Sequence, residues 1–139
     1  MDKVFEIIEE GAKGVKNELE SQIERLYIHL LKYKYQKDHQ TRAGINTILD
    51  SCKQITQIKT KYTSIWNNIE DEDLDKIYSK AVIKASRETM LPKSVFSEYR
   101  SDLYNKENIS NRLYLKEFMK NNVYSIYAKE EIDKWNNLI

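Results

Sequence analysis

Residues 19–33 read LESQIERLYIHLLKY, and their apolar positions decide the fold. Leu19, Ile23, Leu26, Leu30 and Tyr33 recur at spacings of four, three, four and three. This is the stripe of a helix that lays one side against a core. Upstream, Val4, Ile8, Gly11 and Val15 carry the same stripe back to the start of the chain. The spacing predicts one helix over residues 3–35, about 50 Å long at 1.5 Å per residue. Gly11 and Gly14 each weaken it by about 1 kcal/mol relative to alanine, so a kink or break is expected there.

Downstream, Thr41 has the hydroxyl of a helix N-cap. Ile45, Ile48, Cys52, Ile55, Lys59, Tyr62 and Trp66 then alternate spacings of three and four, predicting a second helix over 42–66. Lys59 interrupts the seam, and a lysine can snorkel there. The acidic stretch NNIEDEDLDK (67–76) reads as a connection, with a third helix starting near Leu74 and running to about residue 90. Its stripe is Leu74, Ile77, Tyr78, Ala81, Val82 and Ala85. Leu91-Pro92 ends it, because the residue before proline avoids helical dihedrals.

Val95, Phe96, Tyr99, Leu103 and Tyr104 suit a short helix or ordered loop. A last helical region is expected from Ile109, with Leu113, Phe118, Met119, Val123, Ile126, Tyr127, Ile132, Trp135 and Leu138 on its apolar side and a break at Asn121-Asn122.

These elements make an all-α fold, a helical bundle of four to five helices with a long N-terminal helix. One proline and three glycines in 139 residues leave little material for the turns of a strand-rich fold. A chain of this length forms a single domain with a sufficient core. We divide it into a helical core at 1–104 and a C-terminal helical extension at 105–139 packed on the same domain. The single cysteine, Cys52, excludes an intramolecular disulfide and a cysteine-cluster zinc site. No apolar run is long enough to span a membrane, and no secretory signal pattern is seen. A cytoplasmic protein with no membrane partner is therefore expected. The abundance of Lys, Ile, Asn and Tyr suggests an AT-rich microbial genome.

Two blocks, ELESQIERLYIHLLKYKYQ (18–36) and YSKAVIKASRETMLPKSVF (78–96), resemble the bacterial domain-of-unknown-function family 29. The matching positions are Leu19, Glu20, Ser21, His29, Leu30, Leu31, Lys32, Ala81, Ala85, Glu88, Thr89, Leu91 and Phe96, within residues 5–100. The resemblance implies an all-helical fold and no agreed activity. Where the family continues with a Cys-Pro element after the Phe, this chain has SEYRSDLY. The family's arginine-rich second helix is here ILDSCKQITQIK.

Function is sought first on the face that holds Gln22, Arg25, His29 and Lys32, with Tyr33 beside it. Arg25, His29 and Lys32 stand at i, i+4 and i+7 and share one side of the helix. An imidazole between two cations suits acid–base chemistry or contact with phosphate. The alternative for this face is a structural histidine with solvated cations. Helical-bundle nucleases of the HEPN class place an arginine and a histidine four to six residues apart. Arg25 and His29 have only three between them, so an RNase-like enzyme centred on them misses the pattern.

Lys34, Lys37 and Arg42, interleaved with Tyr33 and Tyr35, are candidate nucleic-acid contacts, since phosphates need cations and bases stack on aromatics. The net charge of +1 lacks the domain-wide basic bias of a strong binder. Charge is nevertheless segregated. Residues 25–62 carry eight bases and two acids, whereas 63–79 carry five acids and one base. Neutralisation between helices accounts for this in part.

No ligand spacing for a metal, no phosphate loop and no nucleophile elbow occurs, so no cofactor and no catalytic residue is assigned. Ten tyrosines and two tryptophans suit a core, and they equally suit an interface. The leading expectation is a non-enzymatic protein-interaction or oligomerisation module, with a protein partner or a second copy. A weak nucleic-acid-binding protein is the alternative.

Overall fold

The computed structural model describes residues 2–36, 38, 40–100, 103, 108 and 112–136, and no side chains at 2–10, 112, 135 and 136. The expected Lys37, Tyr104, Ile109 and Leu138 positions lie outside the described residues, as do the side chains of Val4, Ile8 and Trp135. Six α-helices occur among the described residues. They are α1 (Asp2–Tyr35), α2 (Arg42–Lys61), α3 (Thr63–Asn68), α4 (Asp71–Thr89), α5 (Arg112–Asn121) and α6 (Ile126–Asn136). A 3-10 turn at Lys93–Val95 follows α4. No strand is found among the described residues.

The central element is α1, with α2 and α4 packed along it. Leu19, Ile23, Leu26, Leu30 and Tyr33 are all buried, as the spacing predicts. So are Tyr27, Ile28 and Leu31, which turns more than one side of α1 to the core. The expected break at Gly11 and Gly14 does not occur: α1 runs as one helix from Asp2 to Tyr35. Two isolated glycines lower helix stability but leave the i to i−4 ladder intact.

The seam of α2 is buried at Ile45, Ile48, Cys52 and Ile55, and Trp66 in α3 continues it. Thr41 caps α2, its Oγ1 accepting the Gly44 N–H at 3.2 Å. Lys59 lays its Nζ 5.4 Å from the centre of the Trp66 ring, which is how a lysine sits in this seam. The expected single helix over 42–66 is interrupted at Tyr62 (φ −126°, ψ 59°). The Thr63 hydroxyl donates to the Lys59 carbonyl at 3.1 Å, a side-chain bond that competes with helix continuation.

The acidic stretch is helix rather than connection. Helix α4 begins at Asp71, where Asp71, Glu72 and Asp73 complement the positive end of the helix dipole. The Glu70 N–H donates to Asp73 Oδ2 at 2.9 Å and secures that start. The helix ends at Met90, which takes the left-handed conformation (φ 62°) two residues before Pro92.

Leu103, Leu115, Phe118, Met119, Ala128 and Ile132 join the same buried cluster as α1, α2 and α4. Three positions expected on the apolar side of the C-terminal region are instead exposed: Leu113 at 64%, Ile126 at 79% and Tyr127 at 40%. The turn between α5 and α6 breaks the helical phase, so one continuous stripe does not carry through it.

Candidate functional site

One side of α1 carries a half-buried polar strip. Gln22, Arg25, His29, Lys32 and Gln36 follow one another at spacings of three and four, and all are half-buried. Arg25 reaches α2, with Nη1 3.2 Å from Asp50 Oδ2. Lys32 reaches α4, with Nζ 2.6 Å from Glu88 Oε2. The strip therefore faces the gap between α2 and α4, with His29 between the two ion pairs. Gln22 turns along the helix and donates to Glu18 Oε1 at 2.9 Å.

Burial lowers the pKa of His29, and the Lys32 and Arg25 charges lower it further; Glu88 acts in the opposite direction. The imidazole is accordingly neutral at pH 7. It opens onto a cavity of about 200 Å³ lined by His29, Lys32, Tyr33, Thr41, Ala43, Gly44, Thr47 and Ile48. Among the described residues no carboxylate lines it.

Tyr33 does not share this strip. Its ring is buried, and its hydroxyl donates to the Met119 carbonyl of α5 at 3.1 Å. Burial pushes its pKa up to about 12. Lys34 sits with Nζ 5.3 Å from the centre of the Tyr35 ring. It is two residues beyond Lys32, hence on a different side of the helix. Arg42 extends toward α6, with Nη2 3.2 Å from Glu131 Oε1. The guanidinium, with help from Lys134, holds the Glu131 carboxyl below its usual range. Lys37 lies outside the described residues. The structure thus brings Arg25, His29 and Lys32 onto one strip, sets Tyr33 in the wall of the cavity beside His29 with its hydroxyl turned to α5, and places Lys34 and Arg42 elsewhere.

Two residues matter that the spacing did not single out. Gln40 is buried, and its Nε2 donates to the Tyr33 carbonyl at 3.0 Å and the Asn122 carbonyl at 2.5 Å. Its Oε1 accepts the Tyr124 N–H at 2.8 Å. One amide thereby ties the end of α1 to the α5–α6 turn. Arg100 binds Asp75 Oδ1 through Nε at 2.9 Å and Asp71 Oδ1 at 3.4 Å, anchoring the segment after α4 to the start of that helix. Neither residue lies on an apolar stripe, so periodicity carries no sign of them. Glutamine in a polar stretch reads as a loop.

Among the described residues, no three His, Cys, Asp or Glu side chains converge as metal ligands. No helix among them is long and apolar enough to cross a membrane.

The chain matches the family described as Domain of unknown function DUF29 over residues 1–115. It belongs to that family. The DUF29 match takes in α1 to α4, the whole His29 strip, the cavity, and the first residues of α5. The rest of α5 and all of α6 lie beyond it. No curated protein and no solved structure matches the chain.

Proposed function

We propose that this DUF29 protein is a non-enzymatic interaction module that works by pairing with a second copy. The observation that carries this reading is the surface at the α5–α6 turn. Tyr124, Ile126 and Tyr127 are 53%, 79% and 40% exposed within four residues of sequence. Large apolar side chains grouped on a surface mark interaction sites, and tyrosine is favoured there. A net charge of +1 opposes the approach of two copies only weakly. The turn beneath is tied to the end of α1 by the Gln40 hydrogen bonds, which lowers the ordering cost of pairing.

An enzyme centred on Arg25 and His29 has less support, because Arg25 and Lys32 already face Asp50 and Glu88. Nucleic-acid binding has less support because Lys34 and Arg42 lie away from the strip, Arg42 paired with Glu131 on α6.

Sedimentation velocity across micromolar concentrations tests the proposal. The expected result is a dimer that Ile126→Glu converts to a monomer, with helical content unchanged. A wild-type chain that stays monomeric throughout overturns it.

A further inference from the structure

We propose that the cavity beside His29 is a binding site for a small oxyanion, a phosphate or carboxylate group held between Lys32, His29 and Thr41. The cavity of about 200 Å³ is smaller than the space drug-sized ligands occupy, and it suits a small head group. Its lining contains an ammonium, an imidazole, two threonine hydroxyls, the Tyr33 side chain with its hydroxyl committed to Met119, and an apolar side made by Ala43 and Ile48, with no carboxylate among the described residues.

The donors can be assigned one by one. The Lys32 ammonium has three hydrogens, and the contact with Glu88 uses one of them. Thr41 Oγ1 accepts the Gly44 N–H, which leaves the hydroxyl proton for a ligand. The Thr47 hydroxyl donates to the Ala43 carbonyl at 2.9 Å, so Thr47 shapes the wall without donating. At the start of α2, Thr41 takes the Gly44 N–H with its Oγ1 and the Ile45 N–H with its carbonyl. Recognition is assigned to the side chains of Lys32, His29 and Thr41.

Neutral His29 presents one N–H to an anion, and protonation strengthens that bond. Among the described residues, the charged groups around it are Arg25 and Lys32 on α1 and Glu88 on α4, with Asp50 on α2 engaging Arg25. An oxyanion in the cavity adds negative charge beside the ring and favours its protonated form. Binding and His29 titration are thus linked.

The test follows the His29 ring by NMR in the full chain, with His39→Asn removing the other imidazole signal. Inorganic phosphate and acetate are each compared with chloride at equal ionic strength. The expected result is that phosphate moves the His29 titration upward. Lys32→Met is expected to weaken the phosphate effect at least about fivefold, the loss of one charge-assisted hydrogen bond. Ala43→Leu, at an exposed position on the rim, is expected to abolish the effect while leaving Lys32–Glu88 in place. An acetate response as large as that of phosphate assigns the site to carboxylates; a much smaller one assigns it to phosphate. A His29 titration that neither anion moves, or a shift that persists in Ala43→Leu, overturns the proposal. Dimerisation through Ile126 is read separately, so either proposal can fail alone.

Discussion

Lys32 Nζ lies 2.6 Å from Glu88 Oε2, joining the half-buried strip on α1 to the last turn of α4. The lysine is 20% exposed and the glutamate 51%. Water therefore screens the pair substantially, and its net contribution is about 0.5 kcal/mol. A double-mutant cycle with Lys32→Met and Glu88→Gln, read by urea unfolding, should return a coupling of that size that shrinks at 1 M salt.

His29 makes stability depend on pH. Its pKa in the folded chain lies below the ordinary 6.5 of an exposed imidazole. Between those two values the unfolded chain binds the proton and the folded chain does not. The contribution is therefore fully present above about pH 6.5 and is lost as pH falls through the folded value. Unfolding free energies at pH 7.5 and 5.5 should differ less for His29→Gln than for the wild type.

Gln40→Leu should be the most damaging substitution at a polar position. It strips partners from the Tyr33 and Asn122 carbonyls and from the Tyr124 N–H, all at or near the core. Loss of one buried network of this kind costs about 3 kcal/mol. Hydrogen exchange should show protection lost first in 112–136, with α1, α2 and α4 retained.

Met90→Gly should stabilise the protein. Met90 holds φ at 62°, where a side chain is strained and glycine is not, and it is 88% exposed. Nothing is lost from packing, and the gain should be about 1 kcal/mol. Thermal unfolding followed by circular dichroism measures it.

Much of this protein is legible in its residues. A spacing of three and four determines α1, the seam of α2 and the stripe of α4, because burying one side of a helix requires that period. The same period by itself puts Arg25, His29 and Lys32 on one side of α1. Where expectation and structure part, a local conformation intervenes. Tyr62 leaves the helix, the acids at 71–73 start one, and Ile126 and Tyr127, just past the α5–α6 turn, are exposed.

What tertiary structure alone decided is which polar groups meet. Asp50 and Glu88 lie 25 and 56 positions from their partners, Arg25 and Lys32, and no periodicity links residues so far apart. The choice of Gln40 as the tie between α1 and the α5–α6 turn belongs here too, since a buried amide is set by the backbone groups the fold brings to it. Tyr33 is the clearest case. Its position on the stripe predicted burial, but only the approach of Met119 showed that its hydroxyl serves the core and not the His29 strip. Apolar burial is non-directional and can be read from a repeating pattern. Hydrogen bonds and ion pairs are directional and depend on which helices the chain packs together.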